Sequence, residues 1–88
     1  MKIVSWNCRG MGSNLKEEAM KILVRLESPN ILLIQETKMD EMEFLHKSKQ
    51  FWGKGGVVAV SSRGTLGGLG MLWDKTSFEK IQVKLNSN

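Results

Sequence analysis

Two short apolar runs, each closed by a polar residue, organise the start of the chain. Residues 2–6 hold Ile3, Val4 and Trp6 and end at Asn7; residues 31–34 are apolar throughout and lead into Gln35 and Glu36. Their β-branched and aromatic content predicts strands. The second run does not alternate, which is the pattern of a strand covered on both faces, as in the middle of an α/β layer. Between the runs, Leu15, Ala19, Ile22, Leu23 and Leu26 recur at i, i+4, i+7, i+8 and i+11. That spacing predicts a helix with one apolar stripe, leaving Lys16, Glu17, Lys21, Arg25 and Glu27 mostly outward. Asn14 with Glu17 has the form of a capping box at its start. Pro29 ends it, because a proline disfavours helical backbone at the residue before it. Strand, helix and strand make a βαβ unit with parallel strands and a right-handed crossover.

The texture then changes. Residues 40–50 carry a weaker helical pattern with Met42, Leu45 and Phe44 as inward candidates. Residues 55–70 hold six of the nine glycines, with Val57, Val58, Ala59 and Val60 among them. A strand, a turn at Ser61-Ser62-Arg63-Gly64 and a second strand over 68–73 follow from that pattern. After a turn around Asp74-Lys75-Thr76, residues 78–85 alternate so that Ile81, Val83 and Leu85 share one face. The second half therefore reads as an antiparallel meander, and residues 1–88 as a single domain without repeat or long linker.

Composition narrows the class. At 88 residues, one domain with a thin core is expected. Apolar content of 41% and charged content of 25% are those of an ordinary soluble globular chain. A net charge of +4 is compatible with a polyanionic partner, although scattered lysines on a solvated surface account for it more plainly. Cys8 is the only cysteine and His46 the only histidine, which excludes an internal disulfide and a Cys/His zinc cluster. A lone thiol suits a reducing compartment. No run reaches the ~18–20 apolar residues of a membrane span, and Ser5, Asn7 and Arg9 interrupt any signal-peptide core. An intracellular, soluble chain with no membrane partner is expected, with nucleus and cytoplasm not separated.

Parallel strands would bring Asn7 and Glu36 to one sheet edge, where an amide oxygen and a carboxylate form part of a hard-cation site. A carboxylate at the end of a buried strand is costly unless paired, hydrated or bound to a cation. On periodicity alone, an exposed glutamate capping loop amides explains Glu36 equally well. The Gly64-Thr65-Leu66-Gly67-Gly68-Leu69-Gly70 segment is no phosphate loop, because it lacks a Lys-Ser/Thr pair opening a helix. Glycines that permit bulges or close sheet packing are the better account. Trp6, Trp52 and Trp73 sit among apolar neighbours and read as core rather than as base-stacking platforms. His46 reads as a surface or packing residue, since nothing nearby would orient it.

The words themselves add a resemblance. Lys2-Ile3-Val4-Ser5-Trp6-Asn7-Cys8-Arg9-Gly10-Met11-Gly12, then Ile31-Leu32-Leu33-Ile34-Gln35-Glu36-Thr37-Lys38, resemble the opening motifs of the endonuclease/exonuclease/phosphatase superfamily. Gly67-Gly68-Leu69-Gly70-Met71-Leu72-Trp73-Asp74 is similar to a strand of the endonuclease domains of plant LINE-type, non-LTR retrotransposons and related apurinic/apyrimidinic endonucleases. The resemblance implies the N-terminal portion of a four-layer α/β/β/α sandwich and a Mg²⁺- or Mn²⁺-dependent endonuclease acting on nucleic acid, DNA foremost. By that resemblance Glu36 and Asn7 are the catalytic and metal-holding residues. Lys38 and Arg9 would lie toward the nucleic-acid backbone, and Lys38 reads equally as an ordinary exposed lysine. Arg9 stands where some repair members have an aspartate.

The family pattern also places an Asp-x-Asn element and a Ser-Asp-His-like element beyond residue 88. An incomplete domain with little or no catalysis by itself is therefore expected. The alternative is a non-catalytic nucleic-acid-binding or structural remnant. The apolar face of residues 78–85 has nothing to cover it, so self-association through an uncovered sheet is expected as well.

Overall fold

The computed structural model describes residues 1–61 and 67–76. Six elements follow in order: β1 (Ile3–Asn7), α1 (Asn14–Glu27), β2 (Ile31–Gln35), α2 (Glu41–Ser48), β3 (Gly55–Val60) and β4 (Leu69–Asp74). The two opening runs pair in parallel as the βαβ pattern predicts, with Ile3 opposite Ile31 and Asn7 opposite Gln35. β3 and β4 form the expected antiparallel pair. The sheet order is β1-β2-β4-β3, because β4 also pairs antiparallel with β2, Leu33 opposite Met71. The result is a small mixed α/β domain with a four-stranded mixed sheet and two helices. The predicted strand over 78–85 lies outside the described residues.

Registers sort the sheet into two faces. Val4, Leu32, Leu72 and Val57 form one rung, and Trp6, Ile34, Gly70 and Ala59 the next. These side chains join a core with Met20 and Val24 of α1 and Phe44 of α2. Both helices therefore cover the same face. The tip of the Phe44 ring reaches Gly70, where a β-carbon would come within 2.1 Å of Cζ. Here the glycine does permit close packing.

The other face carries the alternate rungs, and no described residue covers it. Leu32 and Ile34 are buried completely, while the alternate residues Ile31 and Leu33 are only half-buried. The unbroken apolar run of β2 thus misled: it is covered on one face, not two, among the described residues.

Helix phases also differ from expectation. α1 buries Met20 and Val24, whereas Leu15 is 83% exposed and Leu26 76% exposed. Met20 and Val24 are an i, i+4 pair too, and they share one core cluster with Leu32, against which Val4 and Trp6 pack. The N-cap of α1 is Ser13, whose hydroxyl accepts from the Lys16 N–H at 3.2 Å, rather than Asn14. α2 is capped by Asp40, which accepts from the Glu43 N–H at 2.8 Å. It turns Phe44 inward and leaves Met42 exposed. Trp52 is buried and Trp6 and Trp73 partly so. Among the described residues, no helix is long and apolar enough to cross a membrane.

Candidate functional site

The site begins where regular pairing ends. The Cys8 N–H donates to the Gln35 carbonyl at 3.1 Å, continuing the parallel ladder past β1 and β2. A regular ladder would next join Gly10 to Thr37. Instead the Gly10 N–H reaches the Glu36 carbonyl at 2.7 Å, and the Met11 N–H reaches Thr37 at 3.0 Å. One extra residue has been taken up on the β1 side. It is absorbed by Arg9 at φ 53° and Gly10 at φ 103°. On the far side the Thr37 N–H donates to Gly68 at 3.3 Å and the Lys38 N–H to Gly67 at 2.6 Å.

This rim is where the backbone is most strained. Among the described residues, the non-glycine positions with positive φ are Arg9, Ser28, Glu36 and Lys38. Ser28 is explained as the left-handed cap of α1, its N–H donating to Val24. The other three all belong to the rim, and each left-handed L-residue costs roughly 1–2 kcal/mol. Strain of this kind is held where the surroundings over-determine it, commonly at functional sites.

Those surroundings are identifiable. Thr37, between Glu36 and Lys38, is 1% exposed, and its hydroxyl accepts from the Met39 N–H at 3.4 Å. Gly67 and Gly68 close in from the β4 side. A β-carbon on Gly68 would lie 2.4 Å from the Thr37 hydroxyl, and one on Gly67 would lie 3.2 Å from Glu36 Cγ. Beneath them, the buried Cys8 thiol donates to the carbonyls of Gln35 and Glu36 at 3.4 and 3.5 Å. Burial pushes the Cys8 thiol above its ordinary value, opposed by the Gly10 backbone and Lys16. The Lys16 ammonium in turn donates to the Cys8 carbonyl and stands 5.6 Å from the Trp6 ring centroid.

Asn7 and Glu36 line one cavity of about 430 Å³, together with Gln35, Val60, Ser61, Gly68 and Leu69. The sequence therefore brought these two to the same edge. Glu36 is partly buried, and among the described residues no Lys or Arg forms an ion pair with its carboxylate. Arg9 and Lys38 are exposed on the adjoining turns and lie beside the lining, not in it. His46 is elsewhere, in a cavity shared with Met42, Leu45 and Trp52.

The polar lining consists of one carboxylate, two side-chain amides and the Ser61 hydroxyl, all offering oxygen. Such donors suit Mg²⁺ or Mn²⁺ better than zinc or copper. No group of three His, Cys, Asp or Glu side chains clusters among the described residues. A cation here would thus rely on Glu36 with water or phosphate oxygens, a mode that Mg²⁺ accepts. Ser61, Gly67 and Gly68 escaped the sequence reading as parts of the site. The adjacent glycines before β4 are the available signal, and sheet packing alone does not account for them, since Gly67 and Gly68 lie against Glu36 and Thr37. No family model matches the chain, and no curated protein matches it.

Proposed function

We propose that this chain carries part of a metal-dependent phosphodiesterase site of the endonuclease/exonuclease/phosphatase type, acting on nucleic acid. The reading includes the family's four-layer sandwich and its LINE-type endonuclease branch. The observation that carries it is the single cavity lined by both Asn7 and Glu36 at the carboxyl ends of two parallel strands.

Glu36 supplies the anionic oxygen for Mg²⁺ or Mn²⁺, and Asn7 orients the metal or the scissile phosphate through its amide. Once bound, the cation would polarise a phosphate oxygen. The left-handed backbone at Glu36 fixes where its carboxylate emerges, and Gly67 leaves the room for it. Arg9 and Lys38 offer charge to flanking phosphates. The histidine of the chain sits on α2, away from this cavity, so a histidine acid or base is not part of the proposed set. Glu36-dependent cation binding without appreciable cleavage is the expected behaviour of the chain alone.

Calorimetric titration with Mn²⁺ and Mg²⁺, paired with a nicking assay on supercoiled DNA, tests this reading. Saturable Mn²⁺ binding lost in Glu36→Ala and weakened in Asn7→Ala supports it. Equal Mn²⁺ binding by wild type and Glu36→Ala overturns it. Glu36-dependent nicking would keep the metal site and overturn its incompleteness. DNA binding that is salt-dependent but indifferent to Mg²⁺ and to Glu36 would favour the non-catalytic binding module instead.

A further inference from the structure

Glu36 holds a conformation that its neighbours must enforce, since φ 54° is the left-handed region that an L-residue avoids. Two donors converge on its carbonyl oxygen: the Gly10 N–H at 2.7 Å and the Cys8 thiol at 3.5 Å. The same thiol lies 3.4 Å from the Gln35 carbonyl. Each of these carbonyls already accepts one backbone N–H, from Gly10 or Cys8, and the thiol is shared between their second lone pairs. A thiol is a weak donor, but Cys8 is 0% exposed, where water does not compete for the contact.

Cys8 is itself held at each of its polar groups. Its N–H donates to the Gln35 carbonyl at 3.1 Å, and its own carbonyl accepts from the Lys16 ammonium. Lys16 belongs to the first turn of α1 and stands over the Trp6 ring. Cys8 therefore joins the start of α1 to the end of β2, at the point where the ladder gives way to the positive-φ pair Arg9 and Gly10.

We propose that Cys8 is a positioning residue of the cavity, whose thiol fixes the left-handed backbone of Glu36 and through it the place of the carboxylate. In this role, which rests on the reading of Glu36 as a cation ligand, the thiol acts on the peptide that follows Glu36. That peptide is pinned at both ends, its carbonyl by Gly10 and Cys8 and its N–H, on Thr37, by the Gly68 carbonyl. With the plane fixed, the Cα–Cβ bond of Glu36 takes one direction. Packing alone does not call for a thiol here, because an apolar side chain fills the same space without meeting either carbonyl.

Cys8→Ala and Cys8→Ser separate the donor from the bulk, since serine restores a donor in a small side chain. NMR of the isotope-labelled chain, with no metal added, reads the φ of Glu36 from its backbone coupling and carbon shifts. Wild type and Cys8→Ser are expected to keep the left-handed signature, and Cys8→Ala to average it with other conformations. Mn²⁺ titration is read alongside: affinity falls about ten-fold in Cys8→Ala and stays within about three-fold of wild type in Cys8→Ser. Circular dichroism melts establish folding, and Cys8→Val, which fills the space without a donor, replaces Cys8→Ala should that variant not fold. An unchanged left-handed Glu36 in Cys8→Ala overturns the proposal, as does a Cys8→Ser chain that behaves like Cys8→Ala. The two readings fail separately. Glu36-dependent Mn²⁺ binding that Cys8→Ala leaves unchanged keeps the metal site and removes Cys8 from it. A Glu36 backbone that responds as expected, in a chain that binds no Mn²⁺, keeps the tether and overturns the metal reading.

Discussion

Glu36 combines two properties that pull against each other: a place in the cavity lining and a backbone at φ 54°. Glycine adopts that conformation without the steric penalty, whereas alanine retains it. Glu36→Gly is therefore expected to be more stable than Glu36→Ala by about 0.5–1 kcal/mol, after the greater freedom of glycine in the unfolded chain is allowed for. In a domain of this size that is a melting difference of roughly 2–8 °C. Both variants should lose the same cation binding. Equal melting temperatures would mean that the left-handed backbone is not a cost at this position. Cys8 supplies a second residue-scale expectation. Its thiol is held above the ordinary value by burial, so the folded protein keeps its proton at pH values where the unfolded chain has released it. Stability from this source is whole below the unfolded thiol's pKa of about 8.5 and declines as pH rises from there through the folded value. Urea melts at pH 7, 8, 9 and 10 should show a decline above about 8.5 that is reduced in Cys8→Ala. An identical pH profile in the variant would assign the decline to other groups.

At the scale of elements, strands were more legible than helix phases, for a physical reason. β1, β2, β3 and β4 are short apolar runs bounded by glycines or polar residues, which leaves little choice of location. α1 offers two overlapping apolar stripes: Leu15, Ala19, Ile22, Leu23 and Leu26 in one, Met20 and Val24 in the other, and of the first only Leu23 packs against the core. Periodicity weighs them alike, and only the sheet residues Val4, Trp6 and Leu32 decide which stripe turns inward. The cap was ambiguous for a similar reason, since Ser13 and Asn14 are both good N-caps and differ by one residue of phase. In the structure Ser13 accepts the Lys16 N–H and its carbonyl takes the Glu17 N–H. Ser13→Ala should therefore lower stability by about 1 kcal/mol, and Asn14→Ala by a few tenths at most. Thermal melts giving the reverse order would restore the capping box to Asn14. The candidate site divides in the same way. Asn7 and Glu36 were visible because each closes a strand, whereas the left-handed turns at Arg9, Glu36 and Lys38 come from a one-residue mismatch between neighbouring segments. Such a mismatch is a property of the pairing, and neither segment encodes it alone.

At the largest scale, the decisive feature is that, among the described residues, both helices cover one face of the sheet while nothing covers the apolar rungs of the other. The insertion of β4 between β2 and β3 creates that surface, and it depends on a long-range pairing that no local pattern specifies. If the self-association expected from the sequence uses this face, folding and association become linked. Any species that binds the native chain but not the unfolded one raises apparent stability with its concentration. For a dimer, each ten-fold rise above the dissociation constant is worth about 1.4 kcal/mol shared between two chains, or ~0.7 kcal/mol each. At roughly 4–8 °C per kcal/mol, the melting temperature should climb by about 3–6 °C per decade of concentration. Val58→Lys should melt at a temperature independent of concentration over the same range, because a lysine there cannot enter an apolar contact without losing its water. Calorimetric scans at several concentrations separate the outcomes: parallel, concentration-independent melts for wild type and variant would mean that the open face does not hold a second copy.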